Sequence, residues 1–252
     1  MYLFMPKILK EIFTHLPTII FKSVNIKEIL TEAGPFILGF SKKTLNQDSQ
    51  KSLEPLIEGI FTISKSDKDA LQAVDGENIL KLYFTQFLNP QGLVLDMRAQ
   101  HFSKKYEEHL WIPNNTWYQF KNPFRQALIN LYIGFYTDND ELYTLGLKNL
   151  GLTEGLSEGK INELKSLFTK HFGFGDQSQV SFNLNDFNDS FSILFKFFIE
   201  NEIKIKTDFI FLGVYLITLY QNLELKNSSY DVRAIVLEVF DEEIKKVSIE
   251  KH

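Results

Sequence analysis

Apolar positions recur every three or four residues along most of the chain, in blocks separated by Gly, Pro and Asn. That spacing gathers them on one face of a helix. Residues 7–22 set Ile8, Leu9, Ile12, Phe13 and Leu16 on one face, with Lys7, Lys10 and Glu11 elsewhere, until Pro17 interrupts the pattern. A shorter block at 26–32 stops at Ala33-Gly34-Pro35. From Ser52 the spacing of Leu53, Leu56, Ile57, Ile60 and Phe61 predicts a helix with Pro55 in its first turn. The polar run 64–69 can start a short helix capped by Ser66, and Asp75-Gly76 forms a turn. Ile79, Leu80, Tyr83, Phe84, Phe87 and Leu88 then predict a helix over 77–88, stopped by Asn89-Pro90. Beyond Pro123 the register of Phe124, Leu128, Leu131, Tyr132 and Phe135 predicts a helix ending near Asp138. Further helices are expected over 140–150, 158–171, 184–201, 207–223 and 230–246.

One stretch departs from this rhythm. In residues 92–120, Val94 and its apolar neighbours flank Asp96, a polar tip covers 103–108, and the chain returns through Leu110, Trp111 and Ile112. The pattern predicts an antiparallel hairpin across parts of 92–119. The expected fold class is therefore mainly α, with about ten helices and one small antiparallel β-hairpin. No internal repeat is present, and the one candidate boundary is the polar stretch near 64–76. It separates an N-terminal helical segment, 1–76, expected to pack on the core, from a helical domain, 77–252, that holds the hairpin.

Composition sharpens the picture at few points. With 252 residues, 44% apolar and 23% charged, the chain has material for a large core and is neither disordered nor of low complexity. Its 24 Phe against 2 Trp imply a core built largely from aromatic rings on helices. A net charge of -5 without a long basic run argues against a nucleic-acid surface. The absence of Cys removes disulfides, thiolate catalysis and Cys-ligated metal, and fits a reducing, cytoplasmic setting. No apolar run approaches the roughly 20 residues of a membrane span. The mildly basic amphipathic segment 7–22 is the one candidate for peripheral membrane contact.

The candidate chemistry centres on Asp96. A carboxylate after an apolar strand can act as a base or metal ligand, or can be a strand-end Asp bonded to Arg98 or to loop amides, and the second reading is favoured. His101 could serve as base or ligand, but a single His without neighbouring ligands reads as a hydrogen-bonded structural residue. His109 and His171 receive no role. Gly173-Phe174-Gly175-Asp176 mimics a phosphate loop, yet no strand precedes it, so it reads as a helix C-cap and turn. Trp111, Trp117 and Tyr118 could stack a ligand at the hairpin, although aromatic cover over a helical core is the favoured reading.

The order helix, glycine, apolar strand, Asp, hairpin, polar loop, long helix resembles the C-lobe of the UbiB/AarF-type atypical kinases over about residues 77–152. In that family a glycine leads to the motif His-Gly/Ala-Asp-x-His-Pro-Gly-Asn, whose Asp serves the catalytic loop and whose Asn helps hold metal. Asp96, four residues after Gly92, stands at the Asp position. Leu95 replaces the Gly/Ala, Arg98 the His, Ala99 the Pro, Gln100 the Gly and His101 the Asn. A later Asp-Phe-Gly, whose Asp binds metal, corresponds to Asn114-Asn115-Thr116. The run FRQALINLYIGFYTDNDELYTLGLKNLGL is similar to the helices that follow the hairpin in that family.

Phosphoryl transfer depends on positioning and on cations held by carboxylates. Replacing that Asn and the second Asp removes the metal cradle, so the resemblance implies a pseudokinase-like, non-catalytic binding or regulatory module, without cofactor or metal and with a protein as partner. The alternative is a divergent phosphotransfer or nucleotide-dependent enzyme in which Asp96, Arg98, His101 and Asn114 are the candidate residues. Peripheral membrane association through 7–22 is compatible with either.

Overall fold

The computed structural model describes residues 44–64, 73–172 and 179–249. The helices expected at 7–22 and 26–32, the short helix expected after Ser64 and the glycine turn at 173–176 lie outside the described residues. Nine helices run through the described residues: α1 (Gln47–Ile57), α2 (Gly76–Gln86), α3 (Asn122–Tyr136), α4 (Asp140–Asn149), α5 (Glu158–Phe172), α6 (Leu184–Glu200), α7 (Asp208–Glu224), α8 (Val232–Val239) and α9 (Asp241–Ile249). The strands are short: β1 (Thr62–Ile63), β2 (Leu93–Val94), β3 (Phe102–Lys105), β4 (Glu108–Trp111), β5 (Trp117–Tyr118), β6 (Val180–Ser181) and β7 (Ser229–Tyr230). The protein is mainly α, as its apolar periodicity predicts.

Helix α7 is the hub. From Asp208 to Leu219 every residue is buried, as a helix must be when it is apolar on all sides. It packs against α2 and α6, while α8 lies against α2 and α3. Aromatic rings fill the centre: Tyr83 stacks on Tyr215 at 4.6 Å between ring centroids and meets Phe84 and Phe87 edge-on. Helices α3 and α4 form a close antiparallel pair, where a Cβ on Gly134 would strike the Tyr143 backbone and one on Gly146 the Leu131 backbone.

Four expectations need correction. The hairpin exists, but its strands are β3 and β4, with Phe102 opposite Trp111 and Lys105 opposite Glu108. The polar stretch 103–108, expected as the tip, is largely ladder, because the turn needs only Tyr106 and Glu107, with Tyr106 in the left-handed region at φ 55°. Leu93 and Val94, expected to pair with 110–112, pair instead with Tyr118 and Trp117. Both are buried, so they suit an inner strand rather than one with a wet face. The hairpin also gains β1, parallel to β4, making a three-stranded mixed sheet, and β6 and β7 add an antiparallel pair.

The other three corrections concern helix ends. Helix α1 starts at Gln47 rather than Ser52, because the Asn46 side chain accepts the Ser49 N–H at 2.9 Å and caps it. Pro55 therefore sits near its end, where the missing N–H leaves only one carbonyl of the last turns without a partner. The helix expected over 230–246 is two helices. Phe240, fully buried beside Phe84, turns the chain, and Asp241, Glu242 and Glu243 open a new first turn where acidic side chains favour the helix dipole. Asp75-Gly76, expected as a turn, instead opens α2, with Asp75 accepting the Glu77 N–H at 3.1 Å.

Candidate functional site

Residues 95–97 leave β2 extended and are held from two sides. On one side the Leu95 N–H donates to Thr116 O at 3.0 Å and the Asp96 N–H to Thr116 Oγ1 at 3.1 Å. On the other, α7 takes the place of a neighbouring strand. Thr218 Oγ1 accepts the Met97 N–H at 3.1 Å and donates to Leu95 O at 2.6 Å, while Asn222 Nδ2 donates to Met97 O at 2.7 Å. Buried backbone groups must be paired, and this arrangement pairs them without a sheet. Leu95 and Met97 point one way and are fully buried. Alternation then sends Asp96 and Arg98 to the opposite face.

Asp96 is completely buried, and its carboxylate is saturated. Arg98 grips it with a fork, Nε to Oδ1 at 2.7 Å and Nη2 to Oδ2 at 2.6 Å, and the Arg98 N–H adds a bond to Oδ1 at 3.3 Å. His101 Nε2 lies 3.0 Å from Oδ2, and Asn114 Nδ2 donates to Oδ2 at 2.7 Å. A single 3-10 turn, Ala99–His101, carries the chain back so that His101 reaches the carboxylate. His101 Nδ1 also faces Ile112 O at 3.0 Å, so both ring nitrogens point at oxygen atoms. Asn114 is held in turn by Thr116, whose N–H and Oγ1 both donate to Asn114 Oδ1, at 3.2 and 2.6 Å.

Burial alone would push the Asp96 carboxyl up, but the hydrogen bonds and charges of Arg98 and His101 outweigh it and hold the group well below the ordinary carboxylate range. Asp96 is therefore an ionised acceptor with its lone pairs committed. The four candidate residues Asp96, Arg98, His101 and Asn114 thus meet at one point. Among the described residues no group of three or more His, Asp or Glu is placed to hold a metal ion.

The aromatic candidates separate. Trp111 is fully buried and lies parallel to Phe102 at 6.1 Å, inside the core rather than at a mouth. Tyr118 stacks on Phe211 at 4.0 Å and donates to Asp208 Oδ1 at 2.8 Å. Trp117 covers Gly92, whose φ of 138° and lack of a side chain allow the ring to pass directly over it. His109 sits across from Lys104 on the hairpin, with its ring 5.8 Å from Phe61. Neither it nor the aromatic residues join the Asp96 cluster.

Several residues central to this corner were not singled out from the sequence: Thr116, Thr218, Asn222, Gln86 and Tyr215. Gln86 Oε1 accepts the Val94 N–H at 2.8 Å, its Nε2 donates to Tyr215 Oη at 2.8 Å, and that hydroxyl donates to Tyr83 O at 3.0 Å. Tyr83 and Tyr132 share a further hydroxyl bond at 2.8 Å. Burial raises all three phenols, Tyr132 to about 12, so they stay protonated donors. A signal was present, since Tyr215, Thr218 and Asn222 recur at helical spacing on one face of an otherwise apolar helix.

Comparison with known proteins finds no family model that matches this chain and no curated protein that matches it.

Proposed function

We propose that this protein is a non-catalytic binding or regulatory module, built on a degenerate kinase-like C-lobe and acting on a protein partner. The observation that carries the reading is the condition of Asp96. A catalytic base or metal ligand needs a lone pair turned toward substrate or ion. Here an arginine fork, a histidine and an asparagine surround the carboxylate, which has no exposed surface. The order α2, Gly92, β2, Asp96, the β3–β4 hairpin, Asn114 and α3 supports the kinase-like comparison. Asn114 is a neutral donor to Asp96 where that comparison expects a second metal-binding carboxylate. Among the described residues no helix is long and apolar enough to cross a membrane, and the peripheral reading rests on 7–22, outside them.

The test pairs a binding assay with a stability assay. Calorimetric titration of the full chain with magnesium ATP is expected to give no binding heat at millimolar nucleotide. Asp96→Ala strands the Arg98 guanidinium in a largely buried site, and breaking a buried pair costs about 3–5 kcal/mol, a fall in Tm on the order of 10 °C. If the wild type binds magnesium ATP and Asp96→Ala abolishes binding while Tm holds, the divergent-enzyme reading replaces this one.

A further inference from the structure

A second carboxylate is buried outside the Asp96 corner. Asp208, the first residue of α7, is only 2% exposed, yet it is provided for quite differently. Asp96 receives a guanidinium fork, a histidine and an amide. The side-chain donor to Asp208 is a single phenol, with Tyr118 Oη donating to Oδ1 at 2.8 Å. Its Oδ2 is shielded from solvent and has no hydrogen-bond partner. Such an oxygen is costly while the group is ionised, and the cost of the buried charge goes once that oxygen carries a proton.

The neighbours do not cancel that cost. Burial raises the Asp208 carboxyl above its ordinary value, prevailing over the Tyr118 bond, the charge and backbone of Lys121 and the charge of Lys206, which all act the other way. Tyr118 faces it from β5, Lys121 from the segment between β5 and α3, and Lys206 from the segment before α7, with its Nζ donating to Asn149 O at 3.3 Å. Toward α3 and α6 the surroundings are aromatic: the next residue, Phe209, lies edge-on to Phe124 and tilted against Phe198.

The bond also sits at a joint. Tyr118 belongs to β5, which pairs with β2, and its ring stacks on Phe211 about one turn along α7. Two residues before it, Thr116 holds Asn114 and the Asp96 amide. Farther along α7, Thr218 and Asn222 hold residues 95–97. One helix thus grips the β2–β5 pair and its extension at two places. The grip at its N-terminus depends on a carboxylate that is short of donors.

We propose that Asp208 is a proton-operated latch on the hub helix: protonated, it fastens β5 to the first turn of α7, and ionised, it lets that turn open. The proton goes to Oδ2, the oxygen without a partner, which leaves Oδ1 to accept from Tyr118 as before. The linkage is opposite in sign to that of Asp96. An unfolded Asp titrates at about 3.9, so the stability that Asp208 confers is complete below that value and is lost as pH rises through the higher folded one. The latch needs neither nucleotide nor partner, and it stands or falls independently of the module reading.

The test uses the full chain, with Asp carboxyl carbons isotopically labelled and amide hydrogen exchange followed residue by residue. The Asp208 carboxyl signal is expected to titrate above the ordinary Asp range. Across that same titration the Phe209 and Ile210 amides, bonded to Lys206 O at 3.0 Å and Thr207 O at 2.9 Å, should lose protection as pH rises. Asp208→Asn keeps an oxygen for the Tyr118 hydroxyl and carries no charge, so protection of these amides should stay level with pH. Tyr118→Phe keeps a ring against Phe211 and removes the donor, so its loss of protection should exceed that of the wild type. A carboxyl that titrates at or below the ordinary range, protection that ignores the titration, or an Asp208→Asn chain that keeps the pH response overturns the latch. A loss shared in equal measure by the amides of α4 means that the whole fold loosens, and it overturns the latch as well.

Discussion

At the scale of single residues, Asp96 governs what this protein can do in acid. Its carboxyl titrates lower in the folded chain than the value near 3.9 of an unfolded Asp, so in acid the unfolded state binds the extra proton. The stability it confers is complete above the unfolded value and is lost as pH falls through the folded one. The urea unfolding free energy should therefore decline below about pH 4, and the decline should be shallower in Asp96→Asn; identical pH profiles for the two proteins would show that another group is responsible. Arg98→Lys keeps the charge and loses the fork, so it should recover only part of what Asp96→Ala removes. A lysine variant as stable as wild type in urea titration would mean that charge alone holds the corner. The Asp96 and Arg98 partnership was legible because the two are spaced by two after an apolar strand, which puts both on one face. Asn114 was legible from the kinase-like resemblance. Thr116 was not, since nothing local marks a hydroxyl that accepts from one strand and donates to a loop.

Among the elements, α7 does a job that its sequence hides. An apolar run of this length reads as a core helix, and the polar face of Tyr215, Thr218 and Asn222 within it does not say that it finishes the hydrogen bonding of residues 95–97, over 120 residues away in sequence. Periodicity finds which face is buried, but it does not find what that face bonds to. Thr218→Val keeps the shape and removes the hydroxyl, leaving the Met97 N–H and the Leu95 carbonyl short of a partner. It should cost about 1–3 kcal/mol in chemical denaturation, and a change within error would mean that water takes over those bonds. The strand pairing was hidden for a related reason. The alternation in 92–120 was real, but a consecutive apolar pair such as Leu93-Val94 carries no face preference, so its register with 117–118 rather than 110–111 had to come from the tertiary structure.

For the molecule as a whole, the polar stretch near 64–76 is less of a divide than its composition suggests. Leu53 and Ile57 of α1 are buried in the common core, and β1 hydrogen-bonds alongside β4. Removing residues 1–73 should therefore expose apolar surface on α2 and leave β4 with an open edge. The shortened chain is expected to unfold less cooperatively, with a smaller urea dependence than its length predicts. Full retention of the unfolding free energy would mark residues 44–63 as an appendage.

The bond from Thr218 to the Met97 amide also sets a timetable for synthesis. Its two ends are 121 residues apart, which at cellular elongation rates is a delay of roughly 6 to 24 s. Throughout that interval the backbone of residues 95–97 can bond only to Thr116, and α7 is not there to cover Leu95 and Met97. A nascent chain halted before α7 emerges thus shows a half-paired strand, the kind of surface that chaperones hold and that aggregates when they do not. The Asp96 corner is made long before the helix residue that closes it, 121 positions further along the chain.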